Sequence, residues 1–460
     1  MTHLLCIING LTGIMNATCA LGRRLERRGH RVTIASPMDV GERIREHGFD
    51  FRQLDGPPPG WSPAQRRADP AQALGVHELA ATLSDIAPDA VLVDLELHPH
   101  IMVSRHAGYP TGLVSPFLNV FKSPGIPPLH HAVLPAGDGR ATSTEQAEAA
   151  PADPSTRGSS QRALDWHWAR FLAWKRGHRW RRQLRSRSSD KPSLTAALAR
   201  GLGVDIDAWF DRRAWLIPYV ARDLPLLYLM PRELDFPHAP PARVAHAGPM
   251  VDLDRPEPAL DAADRRRLDD ILDGRRAGTD TAAEARPLIL VSMSTVASGD
   301  RTFLRHVVAM AAAEPNWDVV MALGGKADPA SLGERPANLH AFGWLPQMEV
   351  LPFARAAITT AGANTMVECA LHGVPTRVFS LDRNDQNGNA ARTRFHGIGI
   401  ASDLASATAE GLRQDVQRVL TDEAYARRAA AMRDALLAYD ARDAAALAVE
   451  AMFKLTAPRP

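Results

Sequence analysis

The amino-acid sequence predicts an α/β protein with two doubly wound parallel sheets. The chain has 460 residues, and at roughly 150 residues per domain this length suggests two or three units. In both halves, short apolar runs alternate with helical patterns, which is typical of parallel sheets covered by helices. A segment containing Pro256 and Pro258 separates the halves and has the composition of a linker.

The first half contains the start of a doubly wound sheet. Its first apolar run, LLCIING, ends at Asn9 and Gly10, and a helical pattern closed by Gly29 follows. We assign residues 1–252 to this N-terminal domain. Its further predicted strands are VTIAS, FDFRQL and residues 89–95, 111–115 and 226–230. A second helix is predicted over 40–47, between VTIAS and FDFRQL.

An insert at about 119–193 interrupts this pattern. Residues 137–160 are rich in small and polar types, which predicts a mobile loop. Residues 162–191 are strongly basic, and four tryptophans are interleaved with the cations. This stretch fits a helix on an anionic membrane surface, an acceptor-side helix whose aromatic side chains pack on the core, or a contact with nucleic acid. The four tryptophans are Trp166, Trp168, Trp174 and Trp180.

The second half, residues 253–460, repeats the α/β pattern. After residue 402 the sequence is almost wholly helical to about residue 453. The predicted strands are 288–292, 318–323, 339–342, 357–360 and 376–379.

The composition excludes several classes of protein. A formal net charge of +2 gives no general case for nucleic-acid binding. Cys6, Cys19 and Cys369 are widely separated and lack metal-ligand spacing, so we expect reduced thiols in a cytoplasmic protein without a bound metal. No apolar run approaches the ~20 residues that cross a bilayer.

A series of motifs between residues 343 and 390 carries the chemistry. GWLPQMEVL supplies Trp344, an aromatic ring able to stack on a nucleobase, and Gln347. ITTAGANTMVECALHGVPTRVF follows, and the series ends with the pair Asp385-Gln386 in DQNGNA.

The middle motif predicts a turn from a strand into a helix. The strand ends at Thr360, and Gly362, Asn364 and Thr365 begin the helix. The first N–H groups of a helix have no partner within it and lie at the positive end of its dipole, so they suit a diphosphate. Glu368 lies one turn deeper on the same face as Asn364.

In this order and spacing, the motifs resemble the donor-sugar signature of family 1 glycosyltransferases. The resemblance implies a GT-B fold, in which two Rossmann-like domains face a cleft and a final helix crosses back to the first domain. It implies an N-terminal domain for the acceptor and a C-terminal domain for the nucleotide sugar.

The resemblance also assigns roles to the residues of the donor site. Trp344 and Gln347 would contact the base and the ribose, Glu368 the ribose hydroxyls, and Asp385 and Gln386 the sugar hydroxyls. The diphosphate would be held by Thr295 in the loop after the first strand, together with Thr360, Gly362, Asn364 and Thr365.

Two departures from the family pattern bear on donor and mechanism. Thr360 stands where the family has a histidine, so a hydrogen bond replaces a positive charge. Ile14 replaces the family's catalytic histidine, and Asp94 occupies the place of the aspartate that orients it. Three explanations remain open: Asp94 or a nearby histidine such as His98 is the base, the acceptor is already acidic, or the protein binds without transfer.

The sequence therefore predicts an inverting transfer of a hexose from a UDP- or TDP-sugar to a hydroxyl or acidic group of a hydrophobic small molecule or lipid. The nucleotide sugar is a co-substrate, and we expect no other cofactor. The location would be cytoplasmic, at the inner membrane face if residues 162–191 bind lipid. The alternatives are a catalytically silent glycosyltransferase-like partner and a sugar-nucleotide 2-epimerase.

Overall fold

The fold is described from a computed structural model, which describes residues 1–136, 159–211, 219–253, 255–257, 259–276, 286–293, 301–325, 327–381 and 385–455. The chain divides into two compact units. The first comprises Met1–Pro128, Gln161–Arg255 and Ala438–Pro460, and the second comprises Leu129–Ser160 and Pro256–Leu437.

The first unit is built on a parallel sheet of seven strands in the order β3-β2-β1-β4-β5-β8-β9. Its strand order reverses between β1 and β4, which makes the carboxyl ends of these strands a topological switch point. A short antiparallel pair, β6 and β7, lies outside this sheet. The elements are β1 (His3–Ile7), α1 (Thr12–Arg27), β2 (Arg31–Ser36), α2 (Gly41–Glu46), β3 (Asp50–Gln53), α3 (Pro63–Ala68), α4 (Pro70–Ala73), α5 (Leu79–Ile86), β4 (Ala90–Asp94), α6 (His98–His106), β5 (Thr111–Ser115), α7 (Gln161–Arg185), α8 (Lys191–Gly201), α9 (Ile206–Trp209), β6 (Phe210–Asp211), β7 (Val220–Ala221), β8 (Leu226–Tyr228) and β9 (Val244–His246).

The second unit contains a parallel sheet of six strands in the order β12-β11-β10-β13-β14-β15. The order reverses between β10 and β13, so a second switch point lies at their carboxyl ends. The elements are α10 (Ala262–Arg276), β10 (Leu288–Ser292), α11 (Arg301–Ala313), β11 (Asp318–Ala322), β12 (Leu339–Phe342), α12 (Gln347–Val350), β13 (Ala354–Thr360), α13 (Ala363–Leu371), β14 (Thr376–Ser380), α14 (Gln386–Phe395), β15 (Gly399–Asp403), α15 (Ala409–Thr421) and α16 (Glu423–Asp440), whose residues from Ala438 onward belong to the first unit. The last helix, α17 (Ala444–Phe453), belongs to the first unit.

The central strands of both sheets are buried on both faces, which explains their continuous apolar sequences, whereas the strands β3, β9 and β15 at the edges are partly exposed. The predicted fold class, two parallel-sheet α/β domains, is confirmed. The predicted mobile loop over 137–160 falls almost wholly outside the described residues. The basic, tryptophan-rich stretch forms the helix α7.

The last helix belongs to the core of the first unit. Ala445, Ala446 and Val449 of α17 pack in the cluster that contains β1 and α1. Glu450 accepts hydrogen bonds from Arg28 Nε at 2.7 Å and contacts His30 Nε2 at 3.0 Å. The chain end is therefore joined to the first helix by apolar packing and by an ion pair.

Tyr439, at the end of α16, packs closely against Gly248 within the first unit. The φ of Gly248, +86°, lies in the left-handed region, and a Cβ atom added there would collide with the ring of Tyr439. A glycine is thus required at this position. None of the described helices is long and apolar enough to cross a membrane.

Candidate active site

A chain of hydrogen bonds lies at the switch point of the second unit. Ser292 at the end of β10 donates its hydroxyl to Gln347 Oε1, and Gln347 Nε2 donates to Glu368 Oε2 at 2.6 Å. Both Gln347 and Glu368 are buried. The structure therefore brings together two predicted donor-site residues from α12 and α13 and fixes the orientation of the Glu368 carboxylate.

Trp344 precedes this chain of hydrogen bonds in the segment between β12 and α12. The residue is 38% exposed, whereas the neighbouring Leu345 is buried. A large aromatic ring that stays partly open three residues before the buried Gln347 can stack on a planar ligand.

The predicted turn from strand to helix is present at the end of β13. Thr360 is buried, and the N-cap residue of α13 is Gly362, which has no side chain with which to cap the helix. Asn364 and Thr365 lie in the first turn. The positive end of the helix dipole therefore lies beside Gly362, where it favours an anionic group.

Asp385 and Gln386 form the beginning of α14. Asn389, wholly buried one turn later, donates Nδ2 to Asp385 Oδ2 at 2.7 Å and to the Ala361 carbonyl at 2.9 Å. Burial raises the pKa of Asp385, and the hydrogen bond from Asn389 opposes this shift. Asn389 thus links the predicted sugar-binding turn to the predicted diphosphate-binding turn, a role that sequence reasoning missed.

A segment that begins at Leu129 contacts the same helix. Asn387 Nδ2 donates to the His130 carbonyl at 3.1 Å, and Ser380 donates its hydroxyl to Asn387 Oδ1. A Cβ atom at Gly388 would collide with the Leu129 carbonyl, so only glycine allows this approach. The sequence holds no signal for this contact, because Leu129 and Gly388 are about 260 residues apart.

A cavity of about 690 Å³ adjoins this segment. It lies at the carboxyl ends of β14 and β15 and at the start of α11. Its polar lining next to Asp385 and Gln386 is compatible with a sugar-sized ligand. The lining includes Ala132, Thr302, His306, Ser380, Asn387 and Asp403.

Asp94 lies at the switch point of the first unit and is fully buried. Its carboxylate accepts the Glu96 N–H at 2.9 Å and the Asn9 N–H at 3.4 Å, while Asn9 Nδ2 donates to Glu96 Oε2 at 3.2 Å. Burial, and then the charge of Glu96, raise the pKa of Asp94 to about 7. Glu96 is partly exposed, and Lys191 Nζ donates to its carbonyl at 3.0 Å.

His98 lies in the core and does not face a binding surface. Its Nε2 contacts the Tyr219 carbonyl at 2.8 Å, and its ring packs edge-on against Tyr219 and Phe210. Burial lowers the pKa of His98 to about 3, so the ring stays neutral near pH 7. This placement differs from the expectation that His98 could act on an acceptor. Its neighbour His100 is also buried, with a pKa lowered to about 3 by burial.

Two further positions complete the comparison with the predicted site. Ile14, in place of the family's histidine, is buried in the first core. Thr295, the predicted diphosphate contact in the loop after β10, lies outside the described residues.

Known proteins resemble this chain in sequence and in structure. Residues 306–452 match the family model of the erythromycin biosynthesis protein CIII-like C-terminal domain. The chain is 27% identical over 433 residues to the oleandomycin glycosyltransferase of Streptomyces antibioticus, covering 90% of this chain and 83% of the relative. The 3-alpha-mycarosylerythronolide B desosaminyl transferase of Saccharopolyspora erythraea is 38% identical over 103 residues, or 22% of this chain and 24% of that protein.

Among solved structures, the glycosyltransferase of kitacinnamycin superposes with a TM-score of 0.64 at 23% identity, covering 98% of this chain and 99% of the other. VinC, a glycosyltransferase solved in complex with dTDP, gives a TM-score of 0.60 at 16% identity and covers 99% of both chains. The fold with its two switch-point sites is that of a GT-B glycosyltransferase. The chain resembles the family 1 glycosyltransferases in sequence, and these likenesses identify it as a glycosyltransferase.

Proposed function

We propose that this enzyme transfers a hexose, with inversion, from a UDP- or TDP-sugar to a hydroxyl or acidic group of a hydrophobic small molecule of the natural-product type. The relative that spans most of the chain is named for an antibiotic, oleandomycin, and VinC was solved with dTDP. The observation that carries the proposal is the buried, hydrogen-bonded pair Gln347 and Glu368, which follows the partly open Trp344 in the sequence.

In this proposal each part of the donor has a partner in the second unit. Trp344 stacks on the base, Gln347 contacts its edge, and Glu368 accepts the two ribose hydroxyls. The diphosphate binds at the start of α13, where Thr360 supplies a hydroxyl in place of an imidazolium. We assign Thr295 to the same group, and Asp385 and Gln386 to the sugar hydroxyls.

The reaction forms one bond and breaks one. The acceptor oxygen attacks the anomeric carbon on the face opposite the leaving group, the bond from this carbon to the diphosphate oxygen breaks, and the nucleoside diphosphate leaves. The acceptor proton passes to the pair Asp94 and Glu96. A carboxyl group with a pKa of about 7 suits a general base near neutral pH.

Within this pair, we assign contact with the acceptor to Glu96, because Asp94 is fully buried and Glu96 is partly exposed. Asp94 then holds the transferred proton in a buried position. An acceptor that is already acidic would need less help from this pair.

A catalytically silent partner protein is the second candidate. The substitution by Ile14 and the enclosed ring of His98 favour it, because the first unit lacks an exposed histidine base at these positions. The donor-site residues count against it, since a protein that binds no donor has no need of a buried Glu368.

The proposal also places the enzyme in the cytoplasm, where nucleotide sugars are made. The three cysteines are free and buried, as expected for a reducing compartment.

A thermal-shift screen with UDP, dTDP and their hexose conjugates tests donor binding. A ligand at 100 times its dissociation constant adds about 2.7 kcal/mol to the free energy of unfolding. We expect stabilisation by at least one nucleotide sugar, and then nucleoside diphosphate release with hydrophobic hydroxyl acceptors. Stabilisation without release for any acceptor would support a silent partner that still binds a donor, and no stabilisation would reject the transferase.

A further inference from the structure

Helix α7 exposes a row of large apolar side chains. Trp166, Trp174, Trp180 and Leu184 are 55%, 53%, 63% and 59% exposed. Soluble proteins rarely leave several such residues open along one element. We call this group the outer face of α7.

The opposite face of the helix accounts for its packing on the first unit. Leu164, Trp168 and Phe171 are buried, and Trp168 Nε1 donates to the Ile126 carbonyl at 2.8 Å. The helix is therefore already anchored without the outer face, and the exposed tryptophans are not required for that anchoring.

Helical geometry aligns the outer face into a strip. At about 100° and 1.5 Å per residue, Leu184 points in the same direction as Trp166, about 27 Å further along, and Trp180 deviates by about 40°. Trp174 lies at the border of the strip, where it stacks on Phe171 and His178.

The charge of the helix limits the choice of partner. Helix α7 contains seven arginines and Lys175 but a single acidic residue, Asp165. Arg170 and Arg181 lie beside the strip, and the Arg170 guanidinium is 5.3 Å from the Trp166 ring centroid. A partner for this face must accept indole rings and carry negative charge.

We infer that the outer face of α7 docks on the surface of an anionic lipid bilayer. Tryptophan favours the headgroup region, where its apolar ring and its N–H group are both satisfied. Arginines beside it meet lipid phosphates, and each basic residue near such a surface contributes about 1 kcal/mol. Docking would hold the enzyme where hydrophobic acceptors accumulate, and it does not depend on the identity of the donor.

Co-sedimentation with vesicles tests the inference on the full-length protein. The vesicles contain either phosphatidylcholine alone or phosphatidylcholine with phosphatidylglycerol. We expect binding to the anionic vesicles only, weakened by salt and accompanied by a blue shift of tryptophan emission. Equal binding to both kinds of vesicle, or to neither, would overturn the inference.

Variants then assign the binding to the outer face. The triple change Trp166→Ala, Trp174→Ala and Trp180→Ala should reduce vesicle binding at least tenfold. Arg170→Glu with Arg181→Glu should reduce it about 30-fold or more, since about 1 kcal/mol is lost at each site before repulsion is counted. In the matched control, Leu253 and Leu447, which are also exposed, are changed to alanine and binding should persist.

Three measurements separate this inference from its competitors. Glycosyl transfer to a water-soluble acceptor should not change in the triple variant, so a failure of the proposed reaction leaves this test intact. Sedimentation velocity without vesicles should show no self-association that depends on the tryptophans. A dimer lost in the triple variant, or tighter binding of single-stranded DNA than of anionic vesicles, would assign the face to another partner.

Discussion

At the scale of single residues, the proposed donor site depends on the Glu368 carboxylate, which accepts a hydrogen bond from the Gln347 amide. Glu368 is buried, and Gln347 donates to it at 2.6 Å. A buried carboxylate costs free energy unless its oxygens find donors, and a carboxylate has about four acceptor sites, of which the Gln347 amide fills one.

Glu368→Gln should raise the donor Michaelis constant about 10- to 100-fold. Hydrogen bonds to a charged group contribute about 1.5–3 kcal/mol, and the amide replaces a charged acceptor with a neutral one. Steady-state kinetics at varied donor concentration measure the change. Glu349→Gln, which alters an exposed carboxylate paired with Arg265, is the control and should leave the constant unchanged. An unaltered constant in Glu368→Gln would remove the ribose contact.

The pH dependence tests the pair Asp94 and Glu96. The raised pKa of Asp94, about 7, means that the carboxylate form accumulates as pH rises through this value. kcat/KM should therefore increase with pH, reach half of its plateau near pH 7 and level off about one pH unit higher.

Asp94→Asn should abolish this rise and lower turnover about 10²- to 10⁴-fold, the usual contribution of general base catalysis. Asp85→Asn, at an exposed carboxylate paired with Arg52, is the matched control. The same pH profile in Asp94→Asn as in the wild type would assign the titration to another group.

At the scale of elements, α14 joins three parts of the second unit. Asp385 and Gln386 lie at its start, and Asn389 forms a hydrogen bond to the residue after β13. Gly388 leaves room for the Leu129 carbonyl. The geometry of the sugar-binding turn thus depends on chain segments far apart in sequence.

Gly388→Ala should lower the free energy of unfolding by about 1–3 kcal/mol, because the added methyl group collides with the Leu129 carbonyl. Thermal denaturation measures this loss. Gly201→Ala, at a helix end with nothing within 4 Å of the added atom, should be neutral or slightly stabilising. Equal melting temperatures of Gly388→Ala and wild type would show that the Leu129 segment moves aside.

At the scale of the whole molecule, the sequence predicts the order of elements better than the contacts between them. Both sheets and the turn at Gly362 follow from apolar periodicity and from local capping rules. The enclosure of His98 by Tyr219 and the link through Asn389 could not be predicted, because they arise from residues that only the tertiary fold brings together. The proposed role of Asp94 in proton removal could be inferred only from the resemblance to the family. Its raised pKa follows from complete burial in the fold.

The ion pair between Arg28 and Glu450 makes part of the protein's stability depend on pH. The hydrogen bond from Arg28 is the main reason that the pKa of Glu450 is lowered from 4.5. A carboxylate whose pKa is lower in the folded state contributes stability above its unfolded value, and this stability is lost as pH falls through the folded value.

Glu450→Gln should therefore lower the free energy of unfolding by about 1–3 kcal/mol at pH 7. The difference from wild type should shrink below about pH 4.5, as chemical denaturation at several pH values would show. Asp443→Asn, at an exposed partner of Arg28, should have a smaller effect. A difference that is constant with pH would exclude a role for the carboxylate charge.

The most direct test of the account is a crystal structure with a bound UDP- or TDP-hexose. We predict the base on Trp344, the ribose at Glu368, the diphosphate at the start of α13 and the sugar at Asp385 and Gln386. A ligand bound elsewhere, or a saturating ligand that makes no contact with the Glu368 carboxylate, would contradict it.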